Sequence, residues 1–367
     1  MHPRRAVLPG ARTRLVCSLL APCAAGAAVI SVRDCFNEQD HLADWVPEGT
    51  GTVGVGGVWA MRLFRTILAA TDLVEIPDPV VVSALKTAIH HKALLIILHV
   101  LESTSDSDRS RVRDFRSGED IVAGAEYVQE VLQALSNTYY RFLRRHDPVD
   151  ILVKTGFPWM QIIAQAFREK ADAIFLGPHA GRAAQRGVVR VKGRVGSTVE
   201  GVTKYEPCPT WIVNRIISAR MVRLARILVC VDFSDSCRAA LRYAVDLARS
   251  TGGRLILFHM HGVPPSPLYS REQYDTDVGR CCDRMQHFCA GIPATVAFEY
   301  HVWGGSHPHL EIVRGALKFA ADLIVMGSHT KSQDPKWYVG SAVERVSHRS
   351  QCPVAVVTDP SALLVFS

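Results

Sequence analysis

The chain has ten cysteines but no CxxC pair, and the adjacent Cys281-Cys282 has no second half at metal-ligand spacing. Neither a zinc ribbon nor a dithiol redox centre is expected from such a pattern. Also missing are a GxxxxGK[ST] loop, a Ser/His/Asp order and a paired-carboxylate pattern. These are the usual sequence supports for P-loop phosphate binding and for hydrolytic catalysis. Basic and aromatic residues do not alternate, so the formal charge of +7 reads as a preference for anions rather than as a nucleic-acid surface. The weakly apolar tract Leu15–Ile30 is diluted by small residues, interrupted by Pro22 and too short for a comfortable membrane span. Neither nucleic acid nor membrane is expected as a partner.

What remains describes a globular protein with 48% hydrophobic and 21% charged residues, and 367 residues leave room for two domains. Cys208, Cys230 and Cys352 sit within or beside apolar strand patterns, where reduced, buried thiols are expected. A reducing compartment follows, and the expected location is cytoplasmic. Residues 1–60 differ from the rest. With Arg4 and Arg5 ahead of the apolar tract and Cys23 within it, they fit a targeting segment. Pro22 and the small residues weaken that reading, and because Met61 stands just before the first periodic strand, the expectation is a poorly ordered extension or a start-site artefact.

From there the chain alternates strands with helices. In a first domain, residues 61–215, apolar runs at Phe64–Ala70, Leu94–Val100, Val149–Gly156, Ala173–Gly177 and Thr210–Val213 read as strands. Helical patterns cover Val80–His91, Glu119–Arg145 and a stretch from Pro158 to about Lys170, and Glu102–Gly118 reads as loop. A second domain, residues 223–360, repeats the order with strands at Ala225–Asp232, Arg254–Met260, Ala294–Val302, Asp322–Gly327 and Cys352–Val357. Ser234 or Asp235 is the expected N-cap of its first helix. Asp72 and Asp232, like His99 and His259, stand 160 positions apart; Pro158/Pro308, Asp172/Asp322 and Gly177/Gly327 stand 150 apart; Gly196/Gly340 stand 144 apart. The offset changes only across loops, as in a duplicated domain. The expectation is α/β: two tandem, doubly wound, five-stranded parallel sheets with ligands beyond the carboxyl ends of the strands.

At that edge of the second domain Asp232 ends strand one, Met260 ends strand two and Gly327 follows strand four. Gly340-Ser341 then opens a helix whose N-terminal N–H groups suit an anion. Each residue also has an ordinary structural reading: a capping carboxylate, a chain-turning glycine, a helix-start hydroxyl. His259/His261 and His307/His309 alternate in extended backbone, so their side chains diverge and no metal site is expected. His99 and His259 read as repeated structural residues rather than general bases.

Taken together, these residues resemble the universal stress protein family in its tandem form, over residues 62–214 and 224–358. The resemblance implies Rossmann-like sheets of the adenine nucleotide alpha hydrolase type, with strand order 3-2-1-4-5. It also implies a Gly-x2-Gly-x9-Gly-Ser/Thr phosphate motif. Here that motif becomes Gly327, Thr330 in place of glycine, then nine residues and Gly340-Ser341. By resemblance, Asp232 matches the ribose-holding carboxylate, Met260 lies near the adenine-contacting backbone, and Ser341 contacts phosphate. In the first domain the matching positions are Asp72, Val100, Gly177, Gly196 and Ser197. Ala180 replaces the second glycine, and a fifteen-residue gap holds Arg182, Arg186, Arg190, Lys192 and Arg194.

The resemblance thus implies a stress-response regulator binding ATP or another adenine nucleotide, with or without Mg²⁺, more through the second domain. It implies no dedicated enzyme, although slow ATP hydrolysis stays compatible with it. It also implies pairing of the final strands, TWIV and PVAVV, within the chain, with homodimerisation open and a regulatory protein as partner. The alternative is a stress-related protein-interaction module that binds no nucleotide, favoured by Thr330 and Ala180. An enzyme of nucleotidyl-transfer type is a more distant reading.

Overall fold

The structure is a computed structural model that describes residues 29–31, 63–72, 78–104, 110–114, 117–143, 146, 148–178, 196–214, 224–328 and 341–358. Strands with apolar residues on both faces lie between helices. The first half contains β2 (Thr66–Thr71), α1 (Pro79–His91), β3 (Leu94–Glu102), α2 (Ala125–Leu143), β6 (Val149–Gly156), α3 (Pro158–Arg168), β7 (Ala173–Leu176), α4 (Ser197–Tyr205) and β8 (Thr210–Ile212). The second contains β9 (Arg226–Cys230), α5 (Asp235–Thr251), β10 (Arg254–Gly262), α6 (Arg271–Cys289), β11 (Phe298–Gly305), α7 (Pro308–Lys318), β12 (Leu323–Ser328), α8 (Ser341–Arg349) and β13 (Val354–Thr358). A short β1 (Val29–Ser31) pairs antiparallel with β6.

Alternation along the strands sorts the core into two layers. Leu323 and Val325 pack with α1, α2, α5 and α6 residues on one face, while Ile324 and Met326 pack with α3, α4, α7 and α8 residues on the other. Successive side chains of a strand point to opposite faces, so a strand buried on both must be apolar throughout. Among the described residues, no helix is long and apolar enough to cross a membrane.

The expectation of two separate five-stranded parallel sheets is corrected by the strand order. One mixed, mostly parallel sheet runs through both halves as β1-β6-β3-β2-β7-β8-β13-β12-β9-β10-β11. The join is antiparallel: Thr210, Trp211 and Ile212 face Val356, Ala355 and Val354. The physical reason lies in the terminal strands, each of which would otherwise present a row of unpaired backbone groups on an apolar edge. Pairing these edges with each other removes both at once and merges the sheets.

Two element boundaries also differ from the expectation. A hairpin spans the segment read as loop and the start of the one read as helix: β4 (Arg111–Arg113) pairs with β5 (Asp120–Val122) and is tied to the end of β3 by a Ser103–Val112 bridge. Its charged residues mask the strand pattern, and Ile121 and Val112 alone mark the inward side. Helix α2 consequently begins at Ala125. In the second half, strand three begins at Phe298, where pairing with Leu255 starts.

Side chains reinforce the join. Trp211, fully buried, stacks on Phe175 at 4.8 Å and meets Phe64 edge-on, and its indole N–H donates to the Tyr243 hydroxyl of α5 at 2.8 Å. Asn214 donates to the His348 carbonyl of α8 at 2.7 Å. Trp211→Ala is expected to lower the unfolding free energy by about 3–5 kcal/mol. Trp211→Phe, which keeps an aromatic ring but strips the donor from half-buried Tyr243, should cost about 1–3 kcal/mol. Urea titration of the full chain measures both.

Candidate functional site

Strand one of the second half ends at Cys230, and the next residue is held by one more backbone bond to strand two and by a histidine side chain. Val231 N–H donates to the Phe258 carbonyl at 2.8 Å, while His259 Nδ1 lies 2.7 Å from the Val231 carbonyl. Burial holds the His259 imidazole below its usual pKa, so the ring is neutral near pH 7 and serves as a donor to backbone. The first half repeats this device: His99 Nδ1 sits 2.9 Å from the Thr71 carbonyl.

Asp232 is exposed at the strand-one end, and its Oδ1 accepts from Ser234 N–H at 3.0 Å and Ser234 Oγ at 2.6 Å. Ser234 in turn is the N-cap of α5 and accepts from Cys237 N–H. Between them Phe233 takes a left-handed φ of +67°, a conformation that costs a bulky side chain roughly 1–2 kcal/mol. Its ring lies 4.6 Å from His259 and beneath the Arg284 guanidinium at 4.1 Å, contacts that offset the strain.

Gly327 is the penultimate residue of β12, level with the strand-one end. A methyl group there would lie 2.5 Å from the Ser236 carbonyl carbon and 2.7 Å from Cys237 N. The glycine therefore lets the first turn of α5 rest directly on strand four. Met260, half-buried, lies opposite Trp303 in the β10–β11 ladder. Asp232, Met260 and Gly327 thus share one edge of the sheet, and Ser341 opens α8. Thr330 and Gly340 lie outside the described residues.

In the first half Asp72, Val100, Gly177 and Gly196 occupy the corresponding edge. Gly196 is the N-cap of α4, its N–H bonded to the Pro178 carbonyl at 2.9 Å, and Ser197 is exposed in the first turn. Ala180 and the basic stretch to Arg194 lie outside the described residues. The helix N-cap here is Asp78, whose carboxylate takes Thr71 Oγ1 at 2.6 Å and Val80 N–H at 2.8 Å, with the Tyr139 hydroxyl 3.3 Å from Thr71. Burial raises the Tyr139 phenol well above its usual range. Because β8 and β13 are antiparallel, the two halves run in opposite directions, and their candidate edges lie at opposite ends of the sheet.

Two sets of residues escape sequence reasoning. Asp172 and Asp322 precede strand four of each half, and each Oδ2 accepts two N–H groups at the start of strand one, Arg65/Thr66 and Ala225/Arg226. Their 150-residue spacing was a visible signal for this staple. The other set lies beyond Met260: His261 Nε2 is 2.9 Å from the Tyr269 hydroxyl, which donates to Asp277, while Tyr274 accepts from Gly304 N–H at 3.0 Å. Their spacing carries no periodic signal. Among the described residues, no cluster of three or more His, Cys, Asp or Glu side chains is arranged to hold a metal ion.

A duplicated half of parallel strands with helices on both faces defines a tandem, open-sheet α/β protein. The chain belongs to the universal stress protein family, whose profile matches residues 63–214 and again 224–358. It is 27% identical over 155 residues to a universal stress protein of Methanocaldococcus jannaschii, covering 41% of this chain and 91% of that protein. It is 28% identical over 138 residues to one from Thermus aquaticus, covering 36% and 96%. The fold is similar to the crystal structure of a universal stress protein from Archaeoglobus fulgidus, with a TM-score of 0.54 at 22% identity, over 80% of this chain and 98% of that one.

Gly327→Ala is expected to destabilise the protein by about 1–3 kcal/mol, since strand and helix backbones must separate. Gly279→Ala, at an open position of α6, should be neutral or stabilise by up to about 1 kcal/mol. Thermal or urea unfolding of the two variants separates close approach from generic glycine effects.

Proposed function

We propose that the protein is a regulator that binds ATP or a related adenine nucleotide, chiefly through its second half. The observation that supports this most is the meeting of Asp232, Met260 and Gly327 on the carboxyl edge of β9, β10 and β12, the position where open α/β sheets take ligands. The donor set suits the ligand. Asp232 would accept from ribose hydroxyls, backbone groups near Met260 would face the base, and Gly327, Thr330, Gly340 and Ser341 would border the phosphates. Asp72, Val100, Gly177, Gly196 and Ser197 would form the weaker counterpart. Any Mg²⁺ would arrive with the phosphates.

A second reading is favoured by a specific observation: Asp232 and Gly327 each have a structural duty, one in holding Ser234, the N-cap of α5, and the other in packing against that helix. On that reading the fold serves as an interaction module for a regulatory protein, without nucleotide. Calorimetry of the full chain with ATP, ADP and AMP, with and without Mg²⁺, decides between them. Saturable binding is expected, weakened about ten- to a hundredfold by Asp232→Ala, the effect of losing one or two charge-assisted hydrogen bonds. Gly340→Val should weaken it as well, and Asp72→Ala much less. No saturable heat with any nucleotide leaves the interaction module standing.

A further inference from the structure

We propose that Glu206 is a proton-governed latch on the seam between the two halves: protonated, it keeps the end of β13 docked, and its ionisation loosens the seam. Glu206 follows α4 in the first half, yet its Oε1 accepts the N–H of Thr358, the last residue of β13 in the second, at 3.0 Å. Beside it the Thr358 hydroxyl donates to the Thr203 carbonyl at 3.3 Å. The residue is 3% exposed, and its second oxygen, Oε2, is buried with no hydrogen-bond partner. A carboxylate left in that position would keep a charge out of water with half its acceptors unused, a costly arrangement that a neutral acid avoids.

Among the described residues, no compensating cation acts on it. Facing Glu206 are the hydroxyls of Thr210 in β8 and of Thr358, which favour the carboxylate but are outweighed by burial. Cys208 from the turn before β8 and Tyr243 from α5 feel its charge, and burial raises both well above their usual ranges, so both stay neutral. The remaining charged group is the Asp172 carboxylate before β7, which acts on Cys208 and Tyr243 and is of the wrong sign to help. Burial accordingly pushes the Glu206 carboxyl up to about 8. The repeat supplies a contrast. Asn214 stands 144 positions before Thr358, and there the crossing to the other half is made by an amide to the His348 carbonyl. That contact does not titrate, so of this matched pair of crossings the Glu206 one senses protons.

The sign follows from linkage. When the seam opens, Glu206 meets water and recovers its ordinary value of 4.5. Between that pH and about 8 the open form releases a proton that the closed form keeps, so opening is favoured about tenfold per pH unit; outside that window it is level. Hydrogen exchange of the full chain from pH 5 to 9, corrected for intrinsic rates, reads this directly at the amides of β8 and β13. Their opening constants are expected to climb through pH 8 and then plateau, while β10 and β11 stay level. Glu206→Gln, which keeps the Thr358 bond and cannot ionise, should flatten the profile. A slope that survives in Glu206→Gln, or that β10 and β11 share, overturns the proposal. If that variant does not fold, the wild-type profile still decides: flat protection at β8 and β13 from pH 5 to 8 refutes the latch.

Discussion

The backbone edges of the last strand in each half are the constraint on which the architecture depends. A five-residue β13 and a three-residue β8 are apolar and buried, so neither can face water along its outer edge without exposing both polar backbone and greasy side chains. Their antiparallel pairing is centred on Trp211 opposite Ala355, positions 144 residues apart and therefore equivalent in the two repeats. That register makes the seam a local twofold axis. The halves then inherit opposite strand directions, and each presents its carboxyl edge at a different end of the sheet.

This geometry separates the candidate sites while connecting their foundations. Strand four of each half lies next to the seam strand: β7 beside β8 and β12 beside β13. Gly327 pairs with Val357, and Leu176 with Ile212. A ligand that moved either fourth-strand loop would push on a strand one position from the join. The tight packing of α5 on Gly327 extends the same path, since α5 also supplies Tyr243 to Trp211. The physical connection between the edges is therefore a stack of paired strands and one helix.

Much of this was legible in the residues. Uninterrupted apolar runs marked β2, β3, β6, β7, β9, β10, β12 and β13, because a strand covered on both faces has no polar side to hide the signal. Matched offsets at Asp72/Asp232 and Gly177/Gly327 revealed the duplication, and the apolar TWIV and PVAVV edges pointed to their pairing. The merger into a single sheet was not read, because periodicity counts strands within a repeat whereas continuity depends on which backbone edges remain open. The β4–β5 hairpin was hidden because Arg111 and Arg113 suit a loop as well as a solvated ribbon, while Asp120–Val122 was taken into the helical pattern that follows. At the candidate site, Asp232 and Gly327 were recognisable by position. Their contacts with Ser234 and with the first turn of α5 were not, since both depend on how a helix crosses a strand.

The pair at the centre of the seam shows how the duplicated halves have diverged. In a symmetric dimer of identical domains the central residue would face a copy of itself, so two indoles or two methyl groups would oppose each other. Two indoles would overfill a close-packed interior and two alanines would leave a void, both destabilising. In the tandem chain one side carries Trp211 and the other Ala355, both fully buried. The indole takes the volume that its partner leaves, stacking on Phe175 of its own half and bonding Tyr243 of the other. Covalent linkage makes that asymmetry usable, because the halves are always present together at high effective concentration. It also discriminates between pairings: two copies joined through β8 alone would set Trp211 against Trp211, and through β13 alone Ala355 against Ala355. The complementary arrangement is the one in which the first half meets the second, so the seam favours closure within the repeat unit over exchange of like edges between chains.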